Sequence, residues 1–334
     1  LADIGVVYLY RFAEGEFPAR AFLDSYRAHP AGANHDLHVI FKGFPNGRAL
    51  ASARTVFAGL PINSIELDDT GFDVGSYFAA AKLVSNRRLI FFNTFSELLA
   101  DDWLKKYDTA LSLPKVALVG ATGSWQSLSS YYEVLINRAW HELGHLFGNQ
   151  KKPATNGEQT HDIQDAQGGD DVINTSEFDE RTNATRAGRA LYLLFRFDRY
   201  LSLLYQYGRF PNPHVRTNAF MIEKDCFLSL DTSRFNRKTD GYKFESGRRS
   251  MTRQIMARGL KPVVVDRNGK IYIIPDWKSS STFWIAEQNN LIAADNRTRD
   301  YDKANQARRV FLADNAWAYP SLWAIAQGRY STTK

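Results

Sequence analysis

Three stretches of this chain carry residue types at spacings that could do chemistry. In the first, Asp68, Asp69 and Asp73 stand in a loop punctuated by Gly71 and Gly75. The apolar run Leu89-Ile90-Phe91-Phe92 follows and stops at a polar tip, Asn93-Thr94-Phe95-Ser96-Glu97. In the second, Glu245 precedes Arg248 and Arg249 by a few residues within a strongly basic segment. The third, His141-Glu142-Leu143-Gly144-His145, is a literal H-E-x-x-H. On a helix that spacing puts both imidazoles on one face, as a zinc peptidase requires, with Glu142 as base. The longer H-E-x-x-H-x-x-G-x-x-H pattern would need a histidine at 151, where Lys151 stands, and His161 in an acidic stretch is the nearest substitute. Leu135, Ala139, Leu143 and Phe147 form an apolar stripe that leaves the two histidines on a polar edge. An amphipathic helix is therefore the plainer reading, and a zinc metallopeptidase using His141, Glu142 and His145 is the alternative.

The elements that must position the first two stretches follow from periodicity. Ile4–Tyr10, Leu37–Phe41, Ile62–Leu67 and Leu89–Phe92 read as strands. The intervening segments, about Pro18–Arg27, Ala49–Ala58 and Val74–Val84, read as helices. This β-α-β-α-β-α-β order with short connections predicts an α/β fold with a mainly parallel sheet and helices on both faces. Leu89–Phe92 has no polar alternation, so it is expected to be buried on both sides. Ligands of such sheets bind beyond the carboxyl ends of the strands, so the acidic loop and the 93–97 tip should face one site. Further strands are expected at Val116–Val119 and Thr217–Ile222, and a hairpin at Pro262–Val265 and Lys270–Ile274 around Arg267-Asn268-Gly269. Asp240 is expected to cap a helix over Tyr242–Arg258, with Gly259 as its stop. The turn Gly120-Ala-Thr-Gly123-Ser is small enough for close backbone approach to a ligand. Residues 126–208 read as a helical insertion between sheet elements, with about thirty polar residues from Gly148 to Ala184 in its middle.

Composition narrows the class. The chain has 334 residues, 44% hydrophobic and 13% aromatic, enough to bury a full core. Cys226 is the single cysteine, which excludes an intramolecular disulfide framework and a cysteine-rich zinc module and suits a reducing compartment. No run of about 18 apolar residues is present and Leu1 opens no signal-peptide pattern. A cytoplasmic protein, able to sit at the inner face of the membrane, is the expectation. Net charge is +6, but eleven Lys/Arg against three Asp/Glu fall between Arg234 and Lys270, and eight Asp/Glu with no Lys/Arg between Glu158 and Glu180. The basic half suits phosphates of a nucleotide or a lipid surface. A basic nucleic-acid-binding module is disfavoured, because no nucleic-acid fold motif accompanies the charge.

The motifs in order resemble the GT-A type glycosyltransferases, and among them the bacterial rhamnan and capsular polysaccharide synthesis group. The resemblance rests on the strand ending Tyr10-Arg11, Phe22-Leu-Asp-Ser-Tyr26, His35-Asp36-Leu to Lys42-Gly-Phe44, and Gly71-Phe-Asp73-Val-Gly75-Ser-Tyr77. Phe92-Asn-Thr-Phe-Ser-Glu97, Val119-Gly-Ala-Thr-Gly-Ser124, Pro213-His-Val-Arg-Thr-Asn-Ala-Phe220 and Phe244-Glu-Ser-Gly-Arg-Arg-Ser-Met-Thr-Arg253 extend it. It covers about residues 4–125 and 209–300. The implied arrangement is a nucleotide-sugar-binding and catalytic domain over 1–125 and 209–275, the insertion at 126–208, and a C-terminal extension at 276–334 packed on the same domain. The resemblance implies transfer of a sugar from a nucleotide donor to a carbohydrate or lipid-linked acceptor in surface polysaccharide synthesis, with inversion and Glu245 as base. It places Arg11, Asp69, Asp73, Asn93, Arg248 and Arg249 on the donor, and His214, Arg216 and Asn218 on the acceptor side. The family's D-x-D metal motif reads Asn93-Thr94-Phe95 here. A Mg²⁺ or Mn²⁺ would have to rely on Asn93 and Glu97, and the arginines at 248 and 249 are the stand-ins for it at the leaving diphosphate.

Overall fold

The structure, a computed structural model, describes residues 2–130, 197–232 and 235–318. The H-E-x-x-H stretch, most of the insertion and the chain from 319 onward lie outside the described residues. The strands are β1 (Ile4–Arg11), β2 (His35–Lys42), β3 (Ile62–Leu67), β4 (Arg88–Phe92), β5 (Glu97–Leu98), β6 (Val116–Gly120), β7 (Gly123–Ser124), β8 (His214–Val215), β9 (Ala219–Glu223), β10 (Lys261–Val265), β11 (Ile271–Tyr272) and β12 (Ala293–Ala294). The described helices are α1 (Phe17–Ala28), α2 (Gly47–Thr55), α3 (Phe72–Leu83), α4 (Trp103–Leu111), α5 (Phe197–Gln206), α6 (Lys224–Leu228), α7 (Lys238–Ser246), α8 (Met251–Ala257), α9 (Asn296–Lys303) and α10 (Gln306–Trp317).

An eight-stranded sheet runs in the order β11-β10-β6-β9-β4-β1-β2-β3. β1, β2, β3 and β4 are mutually parallel, as the sequence pattern predicts. Side-chain alternation splits β1 between two cores. Val6, Tyr8 and Tyr10 pack with Phe22 of α1, Leu50 of α2 and Trp103 of α4. Val7 and Leu9 pack with Tyr77 of α3, Phe227 of α6, Phe244 of α7 and Met251 of α8. β4 divides the same way, with Ile90 and Phe92 on one side and Leu89 and Phe91 on the other. All four are fully buried. At roughly 1.5–3 kcal/mol per large side chain, this strand is a main source of the sheet's cohesion. Trp277, Phe283, Trp284, Tyr301 and Trp317 join the second core on the sheet's α3 side, while Ile292 and Ala293 between them join the first.

β9 is antiparallel to both of its neighbours, β4 and β6. Its start, Ala219, is therefore paired with Phe92 at the end of β4. Residues 214–218, which lead into β9, are delivered to the same edge at which β1, β2 and β3 end. β10 and β11 form the expected hairpin.

Two expectations fail. The helix over Tyr242–Arg258 is two helices, α7 and α8, broken at Gly247 (φ −71°, ψ 175°). Any side chain there would meet the Lys243 carbonyl at 2.5 Å. Asp240 lies inside α7 and accepts from the Arg237 N–H at 3.0 Å, so the helix starts earlier than expected. The Gly120–Ser124 turn is small because protein fills it. A Cβ on Gly120 would lie 2.4 Å from Val215 Cγ1, and one on Gly123 2.6 Å from the Trp277 ring.

Candidate active site at the carboxyl edge of the sheet

The candidate site lies at the carboxyl edge of the sheet, and its two walls come from different parts of the chain. The first wall is built where β1, β2 and β3 end. Arg11 closes β1 and donates from Nε and Nη2 to the two Asp69 oxygens, 2.8 Å each, while Nη1 reaches Glu14 at 3.1 Å. This two-pronged pair holds the Asp69 carboxyl below its usual range, chiefly through the Arg11 hydrogen bond. Gly43 (φ +72°) leaves the backbone room for it, since a Cβ there would touch Asp69 Cβ at 2.9 Å. Lys42 closes β2, is buried, and donates to the Phe72 carbonyl at 2.7 Å. Burial pulls its pKa down, and Asp73 and Asp69 oppose that pull.

Asp73, in the first turn of α3, is exposed at its surface, yet its pKa is raised by burial, against the lowering effect of Lys42 and Arg11. Among the described residues it makes no hydrogen bond or ion pair. The αL conformation of Gly71 (φ +75°) turns the chain into α3 and so aims this residue.

The second wall is the 212–218 segment with α7 and the start of α9. Glu245 is in the last turn of α7, not the first. The helix dipole opposes a carboxylate there, so the helix end is not what attracts it. Burial would raise its pKa. Arg216, His214 and hydrogen bonds to Oε2 from the Thr217 N–H (2.8 Å) and hydroxyl (2.7 Å) more than reverse this, bringing it to about 2. His214 donates Nδ1–H to the Asn212 carbonyl at 2.8 Å, and burial keeps its ring neutral. The tautomer follows from the partner, because a carbonyl can only accept; Nε2 is then a bare acceptor. With His214 neutral, Arg216 and Thr217 carry the stabilisation of Glu245 at neutral pH. His214 and Arg216 are two residues apart on extended chain and so share a side.

Arg216 is buried, with its guanidinium 4.4 Å from the Phe283 ring centroid and Nη2 3.7 Å from Asp295 Oδ2. Asp295 spends Oδ1 on the N–H of Thr298, capping α9. Tyr77 lies between the walls in charge terms, since Asp73 and Glu245 both act on its hydroxyl.

The polar tip serves the fold. Asn93 Oδ1 accepts from the Phe95 N–H at 3.1 Å and the Ser96 hydroxyl at 2.9 Å, closing the turn after β4. Its N–H donates to the Asn218 carbonyl at 3.0 Å, which ties the two walls together. Glu97 is paired with Arg299 at 2.7 Å, and Arg299 also holds the Phe95 carbonyl. A divalent cation needs oxygens with spare lone pairs and uncompensated charge. Asn93 Oδ1 has no lone pair to spare and carries no charge, and the Glu97 charge is balanced by Arg299, so the donor set expected for Mg²⁺ or Mn²⁺ does not fit one. Among the described residues no group of three or more His, Cys, Asp or Glu could hold a metal ion.

The edge therefore assembles Arg11, Asp69, Asp73, Asn93, His214, Arg216, Asn218 and Glu245. Arg248 and Arg249 are spent elsewhere: Arg248 donates to the Leu204 carbonyl at 3.2 and 3.0 Å, and Arg249 pairs with Asp231. No described contact joins either to the site. Sequence reading missed Lys42, Tyr77 and Asp295. Lys42 had a signal, as a lone cation closing an apolar strand. A cavity of about 210 Å³ lined by Tyr26, His35, Leu37 and Pro61 lies at the start of β2, at the opposite edge, and is too small for a nucleotide.

The fold and site define an α/β protein with a cluster of charged residues at the carboxyl edge of a mostly parallel sheet. No family model and no curated protein matches the chain. The solved structures it is similar to include glycosyltransferases. One is a mannosyltransferase from Pyrobaculum calidifontis in complex with GDP-Man and Mn²⁺, at 12% identity and TM-score 0.31, over 41% of this chain and 40% of that one. Mouse xyloside xylosyltransferase 1 in its apo form gives 14% and 0.37, over 79% and 85%. S. aureus TarS 1–349 in complex with UDP-GlcNAc gives 12% and 0.28, over 35% and 33%. The chain thus spans 40% or less of two of these three. At TM-scores this low, fold and function alike stand on the chain's own geometry.

Proposed function

We propose that this protein is a glycosyltransferase that moves a sugar from a nucleotide-sugar donor to a carbohydrate or lipid-linked acceptor. The GT-A resemblance of the sequence supports the class, and one observation carries it onto the molecule. The motif at 214–245, more than a hundred residues beyond those around 69–77 and 93–97, comes to the same edge of the same sheet, and all three carry cations and carboxylates there. Arg11, fixed by Asp69, and Asp73 take the nucleoside and its phosphate charge on the first wall, together with Lys42. Glu245 takes the acceptor hydroxyl on the second wall through Oε1, which no described group uses.

In an inverting transfer, the acceptor oxygen bonds to the anomeric carbon as the bond to the diphosphate breaks. The diphosphate keeps the electron pair, and the hydroxyl proton leaves last. A carboxylate with a pKa of about 2 is a weak base, so it accepts that proton late, once the attacking oxygen already carries positive charge. Before that, Glu245 orients the hydroxyl. A role in surface polysaccharide synthesis is the form of this reading that the sequence resemblance favours.

The test is a melting-temperature series with UDP, GDP and dTDP. A ligand bound only by the native state raises stability by RT ln(1 + [L]/Kd), about 2.7 kcal/mol at a hundredfold excess over Kd. One nucleotide should raise the melting temperature while the others do not, and Arg11→Ala should abolish the rise. No response to any of the three removes the reading. The peptidase alternative rests on His141, Glu142 and His145, outside the described residues, and no observation favours it.

A further inference from the structure

At the edge where the parallel strands begin, opposite the candidate site, the surface is basic and apolar together. α3 ends there before β4. β9 runs down to it, with Glu223 beside Arg88, and β6 and β10 start there side by side at Val116 and Lys261. Hydrogen bonds chain the connecting segments into one surface. Lys224 Nζ of α6 donates to the Val84 carbonyl, just past α3, at 3.2 Å. Arg258, just past α8, donates to the hydroxyl and carbonyl of Ser229, just past α6, at 2.7 and 2.9 Å. The backbone N–H of Lys261 reaches the Lys115 carbonyl at 2.7 Å. The ends of α3, α6 and α8 and the starts of β6 and β10 are therefore neighbours.

The charges on these segments are unequal. Arg87 is matched by Asp3 and Glu223, Arg88 by Asp108, and Asp231 by Arg249. Lys82, Lys115, Lys224, Arg258 and Lys261 have no ion pair among the described residues, and Asp225 is the carboxylate left to set against them. Apolar side chains stand among these cations. Leu83 is 68% exposed, and Leu113 and Met256 are 42% exposed. One exposed leucine is ordinary, but large apolar groups set into an unbalanced basic surface mark an interaction site. Lys115 also holds a left-handed backbone (φ +67°), which costs a lysine more than a glycine, although its side chain makes no hydrogen bond or ion pair among the described residues.

A nucleic-acid duplex would take the cations through its phosphates but would leave the two leucines and the methionine in water. A lipid surface offers both partners, anionic head groups for the cations and the acyl boundary for the apolar side chains. We propose that this edge docks on an anionic bilayer, with Lys82, Lys115, Lys224, Arg258 and Lys261 over the head groups and Leu83 and Met256 in the interface. The proposal does not rest on the transferase reading. It orients the molecule, because the eight residues of β1, at about 3.3 Å each, then separate the candidate site from the lipid.

The test is sedimentation of the full chain with phosphatidylcholine vesicles, with and without phosphatidylserine. The chain should bind the anionic vesicles and not the neutral ones, and added salt should weaken that binding. Lys82→Gln and Lys261→Gln should each weaken it about fivefold, the usual worth of one cation at an anionic membrane. Arg48→Gln removes an exposed cation at the start of α2, on the opposite edge, and should change nothing. Lys115→Gly should weaken binding while leaving the melting temperature equal or higher, since it relieves the backbone. Leu83→Ser should weaken binding with an unchanged melting curve. In a Cys226→Ser background, a fluorophore on Leu83→Cys should be quenched by brominated lipid and one on Phe12→Cys, at the carboxyl edge, should not. Equal binding to both vesicle types, binding to neither, an Arg48→Gln loss equal to that of Lys261→Gln, or quenching at Phe12 and not at Leu83 overturns the proposal. A DNA duplex that displaces the vesicles and binds more tightly overturns it in favour of a nucleic-acid surface.

Discussion

At the scale of single residues, Glu245 makes a sign-definite prediction. Its folded pKa of about 2 lies below its ordinary value of 4.5. A depressed carboxylate stabilises the fold fully above the ordinary value, and that contribution is lost as pH falls from 4.5 toward 2. Urea melts between pH 7 and pH 3 should therefore lose stability more steeply in the wild type than in Glu245→Gln. Parallel pH profiles would show that Arg216 and Thr217 do not hold the carboxylate as described. Tyr77 predicts the opposite kind of result. Its hydroxyl is fully buried with no partner, so removing it deletes a desolvation cost. Tyr77→Phe should leave the stability in a urea melt unchanged or raise it by up to about 1 kcal/mol. A clear loss of stability would mean that the hydroxyl is satisfied by a bound water.

At the scale of elements, the β6–β7 corner and the α7–α8 break decide what the glycines and Glu245 are for. Gly120 and Gly123 admit Val215 and Trp277, so their smallness belongs to the packing of β8 and the C-terminal segment. Gly123→Ala should cost about 1–3 kcal/mol in a urea melt, the usual range for overpacking. The rise in melting temperature produced by a nucleotide should be unchanged. Loss of the nucleotide effect with normal stability would restore the reading of a ligand-facing turn. The break at Gly247 moves Glu245 from a supposed helix start to a helix end. Its charge is thus matched by side chains from the 214–217 segment and not by backbone dipoles. That segment is held in turn by Asn212, whose amide donates to the Ser246 carbonyl at 2.6 Å and accepts from Arg253.

At the scale of the molecule, the reversed strand β9 joins the halves of the site. Running against β4 and β6, it brings residues from beyond the insertion to the edge where the N-terminal strands end. The two ends of the insertion are pinned beside it: Asn212 N–H donates to the Trp125 carbonyl at 2.9 Å, and the Ser127 and Ser129 hydroxyls reach the Gly208 carbonyl. The whole edge also sets an expectation for metal. With Asn93 closing its own turn and Glu97 paired to Arg299, the nucleotide-induced rise in melting temperature should be equal in EDTA and in excess Mg²⁺ or Mn²⁺. A rise seen only with metal would assign cation binding to carboxylates other than Glu97, with Asp73 the first to test.

The sequence by itself determined the first four parallel strands, the helices between them and the edge at which those strands end. Those are written in local periodicity: unbroken apolar runs for strands buried on both faces, and small-residue helices and glycine turns between them. It also marked Arg11, Asp69, Asp73, Arg216 and Glu245. What it could not contain was the direction of β9 and the break at Gly247, because strand direction and helix continuity there are fixed by contacts between residues far apart. The same holds for the arginines. Arg216, Arg248 and Arg249 are alike as letters. Only the packed chain spends Arg248 on a carbonyl and Arg249 on Asp231, and leaves the Arg216 guanidinium stacked on Phe283 and buried, with no side-chain hydrogen bond among the described residues.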